Sequence, residues 1–147
     1  MTDERLAVIL RSNRLKKTTR RMAVARMMLD SGRTATPAQV WSALRPKLGR
    51  LGLPSVYRIL EELTEAGLLT RIVRPEAESE LCYAACTADR KHHHHHLVCT
   101  GCGRVEVVDC SFRRLEESRI RRRTGFKVTG HTIQVQGICP ACGDKGN

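Results

Sequence analysis

Seven cysteines and six histidines in this chain fall in patterns suited to holding metal ions. Cys99-x-x-Cys102 and Cys139-x-x-Cys142 are each followed by a glycine, Gly103 and Gly143, a turn composition that lets backbone amides face thiolate sulfurs. Four thiolates make a closed tetrahedral site for a structural Zn²⁺. Thirty-six residues separate the pairs, more than the roughly 15–20 of a compact zinc ribbon, so the metal would clip the two ends of a whole subdomain. Two redox dithiols would want a βαβ setting, which the flanking sequence lacks. The run from His92 to His96 leads straight into Leu97-Val98-Cys99. In an extended strand His92, His94 and His96 face one side and His93 and His95 the other, so a single strand can feed two metal sites. The plainer alternative is a solvated histidine run with no ligand role.

The elements that position these residues are legible in outline. Apolar spacing and Gly and Pro punctuation predict helices near 3–12, 19–31, 37–45 and 55–66. Thr36-Pro37-Ala38-Gln39 is a capping box opening the third, and Gly32 and Gly67 sit where the second and fourth stop. Leu68 to Val73 and Leu81 to Ala84, around the polar Arg74–Glu80 stretch, read as a β-hairpin. Helices followed by a hairpin make a winged helix. Between the cysteine pairs lie a strand over 104–108, a basic helix over 112–123 ended by Gly125, and an alternating strand over 132–136. The fold class is therefore α+β: an N-terminal winged helix (1–86), a hinge (87–91) and a small C-terminal α/β domain (92–147).

The charge balance points to a polyanion. With 147 residues, 41% of them hydrophobic, and 26 Lys plus Arg against 15 Asp plus Glu, the chain is globular and carries a net charge of +11. Residues 5–33 hold nine basic residues against the single acid Asp30. On the fourth helix Val56, Ile59, Leu60 and Leu63 form the inward stripe, leaving Tyr57 and Arg58 outside in the first turn and Glu61, Glu62 and Glu65 toward the other end. That polarity suits a helix entering a DNA major groove by its N-terminal end; an ordinary solvated face is the alternative for Tyr57 and Arg58. No segment approaches the roughly 20 apolar residues that span a bilayer, and no secretion signal is present, so a cytoplasmic location without membrane contact is expected.

These pieces resemble the ferric uptake regulator (Fur) family of metal-sensing bacterial repressors. The likeness rests on Arg14-Leu15-Lys16-Lys17-Thr18-Thr19-Arg20-Arg21, Leu53-Pro54-Ser55-Val56-Tyr57-Arg58-Ile59-Leu60, the histidine tract before Cys99, and the tail Gly125-Phe126, His131, Cys139-Pro140-Ala141-Cys142. It implies a homodimer whose C-terminal domain is the dimerisation domain. It implies DNA contacts from Arg14, Lys16, Lys17, Arg20, Ser55, Tyr57 and Arg58, and a structural zinc on Cys99, Cys102, Cys139 and Cys142. It also implies a sensor site using His94 and His96, and an additional site using His93, His95, His131 and a carboxylate. Where iron sensors place an acidic residue before the histidines this chain has Tyr83-Ala84-Ala85-Cys86, and Ala35 stands at a His position. Cys86 resembles the zinc uptake regulator branch, and a thiolate with two imidazoles suits Zn²⁺; a buried hydrophobic Cys86 is the alternative. For the fourth sensor ligand the family position is Thr70, with Cys82, Glu80 and Asp89 as alternatives. The additional-site carboxylate position is Arg114, with Glu117, one turn along, as the substitute and Glu106 or Asp109 behind it. Cys82 and Cys110 are read as packing residues or thiols without a role.

The expected function is a Zn²⁺-responsive repressor of metal-uptake genes that binds palindromic, AT-rich double-stranded DNA as a dimer and takes no small organic substrate. Its rivals are an Fe²⁺, peroxide or Mn²⁺ sensor of the same family, a DNA-binding protein whose zinc is purely structural, and a zinc hydrolase or deaminase. A deaminase needs H-x-E and P-C-x-x-C, whereas this chain has no H-x-E and Pro140 follows its cysteine. No general base stands clearly beside an open zinc position, so no enzyme is expected.

Overall fold

The structure, a computed structural model, describes residues 1–74, 80–86, 94–110 and 114–143. Four helices come first: α1 (Asp3–Ser12), α2 (Thr19–Ser31), α3 (Pro37–Leu48) and α4 (Leu53–Glu65). Each of the first three starts where a threonine can cap it. Thr2, Thr18 and Thr36 accept amides of Arg5, Arg21 and Gln39, and Gln39 returns a side-chain bond to Thr36 to complete a capping box. Gly32 ends α2 in the left-handed conformation, φ +60°. Arg14 holds the corresponding position after α1 at φ +58°, with the Leu15 amide reaching back to Leu10 O at 2.8 Å.

Two of these helices run beyond the sequence reading. Helix α3 runs through Pro46 to Leu48, its last turn held by the Gly49 amide on Arg45 O at 3.1 Å. Helix α4 begins at Leu53 with Pro54 in its first turn, where the missing N–H is no loss. Tyr57 and Arg58 therefore lie in the second turn. The inward stripe of α4 packs Val56, Ile59, Leu60 and Leu63 against Leu6 and Leu10 of α1, Val24, Ala25 and Met28 of α2, and Val40 and Leu44 of α3. Trp41 closes the α3–α4 connection through Nε1–H on Leu51 O at 2.7 Å.

Strands β1 (Leu69–Arg74) and β2 (Glu80–Ala85) form the antiparallel hairpin, pairing Leu69 with Ala85 through Arg74 with Glu80. Helices plus hairpin make the winged helix; the tip at 75–79 lies outside the described residues. Strands β3 (His94–Cys99), β4 (Val105–Asp109) and β5 (Gln134–Gly137) form a second sheet in the order β4-β3-β5. In it β3 is antiparallel to β4 and parallel to β5. Helix α5 (Arg114–Thr124) links β4 to β5, and the short α6 (Pro140–Gly143) spans the second cysteine pair. β5 starts later than its alternating sequence predicts, because the Ile133 amide turns to His95 Nδ1 at 3.3 Å. A second apolar cluster joins the two sheets: Ile72, Cys82 and Ala84 of the hairpin pack on Val98 of β3 and Val105 of β4.

Candidate metal centres and nucleic-acid interface

Three groups of metal-ligating side chains assemble around β3. At its end, Cys99 and Cys102 of one turn meet Cys139 and Cys142 of α6 and the residue before it, with all four sulfurs within 4.8 Å of one another. A Zn–S bond of about 2.3 Å places the sulfurs of a tetrahedron about 3.8 Å apart. Cys102 Sγ and Cys139 Sγ stand at 3.7 Å, so the set fits zinc with little movement. The Cys139 amide donates to Cys99 Sγ at 3.3 Å, and this amide together with that of Cys102 holds the Cys99 thiol down to about 6. Shared hydrogen bonds with Cys139 and Cys102 push Cys142 up to about 12.

On one face of β3, His94 and His96 stand with Cys86, the residue after β2. Cys86 Sγ is 3.3 Å from His94 Nε2, against about 3.5 Å for a thiolate and an imidazole sharing a tetrahedral zinc. The two rings meet edge to face, with centroids 5.1 Å apart. His96 Nε2 is buried and has no hydrogen-bond partner among the described residues. Leaving such an atom unsatisfied is costly unless something else occupies its lone pair. Burial, then the neighbouring His94 and His95, lowers the His96 pKa and keeps the ring neutral, the form that ligates. Cys82, a candidate for the fourth position, is buried in the apolar cluster with Ile72 and Val98. Asp89 lies outside the described residues.

The opposite face of β3 sends out His95, which the structure groups with His131 and Cys110. The imidazole nitrogens of His95 and His131 are 3.3 Å apart, the edge expected of two such ligands on one zinc, about 3.3 Å. Cys110 Sγ is 3.2 Å from His131 Nε2. Cys110, read from sequence as a packing residue or a thiol without a role, stands with these imidazoles, and Glu117, on α5, is not in the group. His93 lies outside the described residues. The Ile133 amide bond to His95 Nδ1 puts that ring's proton on Nε2, so His95 ligates through Nε2 only once this bond is released.

The DNA-facing candidates gather at the starts of α2 and α4. Thr18, Thr19, Arg20, Arg21, Ser55, Arg58 and Ile59 line a cleft of about 350 Å³. Arg21 is held inward by Glu62 at 2.5 Å, while Arg58 is largely exposed, with only a 3.9 Å approach to Glu62. Tyr57 is half exposed, and Arg14, Lys16, Lys17 and Arg20 are exposed between the end of α1 and the first turn of α2. Gly52 gives α4 no side-chain cap; Pro54 offers no N–H, and the Ser55 amide donates to Gly52 O at 3.0 Å. Acids that sequence reading left on a repelling outer face are structural. Glu61 takes Arg71 and the Tyr83 hydroxyl as partners, which lower its pKa, and burial followed by the Glu61 bond pushes Tyr83 up to about 12.

A basic winged helix attached to a small sheet that gathers thiol and imidazole ligands defines a DNA-binding metalloprotein. Residues 12–136 match the model of the ferric uptake regulator family. The ferric uptake regulation protein of Bacillus subtilis is 32% identical over 143 residues, covering 97% of this chain and 95% of that protein. The peroxide-responsive repressor PerR of Staphylococcus epidermidis is 26% identical over 140 residues, covering 94% and 88%. Among solved structures, a zinc uptake regulator complexed with zinc and DNA superposes with a TM-score of 0.76 at 22% identity, covering 97% of this chain and 93% of that one. The chain belongs to the ferric uptake regulator family, whose members are metal-responsive transcriptional regulators. Its fold is the winged helix plus C-terminal dimerisation domain of that family, and no described helix is long and apolar enough to cross a membrane.

Proposed function

We propose that this chain is a zinc-responsive repressor in which Zn²⁺ on Cys86, His94 and His96 ties the wing to the dimerisation sheet. The observation that carries this reading is the hinge-face trio, with its soft sulfur donor and the orphaned buried Nε2 of His96. When bound there, zinc supplies a crosslink across residues 87–91, the hinge between a DNA-reading unit at 1–86 and a dimerisation unit at 92–147. A ligand that binds the tied arrangement better shifts the population toward it. Cys99, Cys102, Cys139 and Cys142 hold a second, structural zinc. His95, His131 and Cys110, with His93, form the additional site, which gives up the Ile133 amide bond to His95 Nδ1 when it takes a metal.

In the cytoplasm two copies would pair through the C-terminal unit, where Val107, Val135, Ile138, Ile120 and Phe126 are exposed in the single chain. The dimer would then set two α4 helices about 34 Å apart on a palindromic, AT-rich operator of metal-uptake genes. Arg58 and Tyr57 read bases from the exposed side of α4, Ser55 lies at its start, and Arg14, Lys16, Lys17 and Arg20 meet phosphates. Fluorescence anisotropy on a palindromic AT-rich duplex, titrated with buffered Zn²⁺, Fe²⁺ or Mn²⁺, tests the reading. Tight binding with Zn²⁺ alone at low free concentration is expected. Activation by Fe²⁺ or Mn²⁺ instead would overturn the metal, and metal-independent binding would reduce every zinc to structure. Arg58→Ala should weaken specific binding by about 1–3 kcal/mol; equal loss on random DNA would remove Arg58 from base readout.

A further inference from the structure

The four-cysteine turn does more than close on itself. Its backbone also grips the connection between α2 and α3. Thr34 N–H donates to Gly103 O at 2.8 Å, Val105 N–H donates to Gly32 O at 3.2 Å, and Arg33 and Arg104 form an antiparallel bridge between them. The approach is close enough that a Cβ on Gly103 would lie 2.5 Å from Thr34 Oγ1, and Gly103 sits at φ +71°. Both features require glycine. The turn itself is fixed from the inside by Gly103 N–H on Cys99 O at 2.9 Å and Cys99 N–H on Arg104 O at 2.8 Å. One short segment therefore wraps its sulfurs on one side and holds the winged helix on the other.

Two further contacts extend this grip along the hairpin. Ile72, Cys82 and Ala84 bury against Val98 and Val105. Beyond them the Gln134 amide brackets Val73, accepting its N–H at 3.1 Å and donating to its carbonyl at 2.7 Å, as a neighbouring strand would. Cys86 and the histidines of the hinge-face trio contribute to none of these contacts.

We propose that the four-cysteine knuckle is a latch for the DNA-reading unit, docking the winged helix through main-chain bonds before any regulatory metal arrives. The regulatory metal then acts on a unit already held at one end, and its task is to fix the Cys86 end of the hairpin. The zinc on the four cysteines enters by keeping the turn rigid, so that Gly103 O stays aimed at Thr34 N–H and Val105 N–H at Gly32 O. This inference is independent of which metal is sensed and of the operator.

Amide hydrogen exchange read by mass spectrometry on the full-length protein tests it, with one zinc retained on the four cysteines and the other metals removed by chelation. Segments containing Thr34 and Val105 should be protected in this state. Thr34→Pro removes the donor without touching the knuckle, and exchange around Val105 should quicken roughly fivefold, the weight of one net main-chain hydrogen bond. Zinc content and protection of α4 should stay as they were. Gly103→Ala, made from the other side, should release the segment around Thr34 by at least as much. Gln134→Ala, remote from both the knuckle and the DNA face, should quicken exchange at Val73 alone. Unprotected Thr34 and Val105 segments in the chelated parent protein would overturn the latch. So would unchanged exchange in either Thr34→Pro or Gly103→Ala, whatever the outcome of the DNA titrations.

Discussion

Replacing Cys86 with serine probes the sensor assignment most directly. In the structure the Cys86 sulfur stands 3.3 Å from His94 Nε2, within a few tenths of an ångström of the spacing that a shared tetrahedral zinc imposes. The Cys86–His94 pair is therefore spaced for a shared ion, and His96 Nε2 gains a partner that it lacks among the described residues. A serine hydroxyl is a shorter, neutral, hard donor that zinc does not readily deprotonate, leaving two imidazoles to hold the ion. Disturbing a residue that merely orients a ligand costs about 10–100-fold in affinity. Removal of the ligand itself should cost at least about 100-fold, or about 2.7 kcal/mol. In the proposed mechanism the metal's preference for the tied arrangement drives DNA binding, so the zinc needed for half-maximal operator binding should rise by a similar factor. Chelator competition gives the zinc affinity, and with Co²⁺ the thiolate-to-metal charge-transfer band of this site should vanish while that of the four-cysteine site persists. Cys86→Asp should restore some metal response but move it from Zn²⁺ toward Fe²⁺ or Mn²⁺. If Cys86→Ser binds zinc within about threefold of the parent and keeps the band, Cys86 is a buried small residue and the reasoning fails.

Three other outcomes follow from the same geometry. Arg14 holds a left-handed position after α1 that costs an ordinary residue about 1–2 kcal/mol, so Arg14→Gly should raise the Tm by roughly 1–4 °C while reducing the salt slope of DNA binding by about 1; a lower Tm would contradict the strain, and an unchanged slope the phosphate contact. Tyr83→Phe removes the hydroxyl that donates to Glu61 from within the winged-helix core, and should cost about 2 kcal/mol, a Tm fall of roughly 4–8 °C in thermal melts; no change would mean that Arg71 alone satisfies the carboxylate. Because the His96 pKa is lowered from 6.5 in the fold, the unfolded chain takes up that proton first as the pH drops, so stability of the chelated protein should hold above about pH 6.5 and decline below it; melts from pH 7.5 to 5.5 in which His96→Gln shows the same decline would assign it to other groups.

Local chemistry explains how much of this was legible in sequence. Threonine caps, stop glycines and the α4 stripe are short-range signals, and they marked four helices and the hairpin where they stand. The helix expected over 37–45 continues through Pro46 to Leu48, with the Gly49 amide on Arg45 O closing its last turn. The cysteine pairs announced themselves by spacing. Cys110 did not, because it joins His131 across 21 residues of chain and only the β4–β5 arrangement brings them together. A carboxylate sought at Arg114 and its neighbours pointed to helix α5, when the sulfur at the end of β4 already lay beside the imidazoles. The grip of Gly103 on Thr34 was equally hidden, since main-chain bonds between remote segments leave no residue-type signature beyond a single glycine.

Strand β3 gives three consecutive histidines to two different metal groups by nothing more than the pleat. Its phase is consequently an all-or-nothing variable: sliding the strand by one residue would turn His95 toward Cys86 and both its neighbours toward Cys110, exchanging the ligands of the two sites at once. The flanking ladders, His94 with Asp109 on one side and His96 with Gln134 on the other, set this phase. Cys99 sits at the end of the same strand, tied into the four-sulfur group. A metal there would act as a ruler stop three residues from His96, so the ion that senses nothing decides which histidine faces which ion that does.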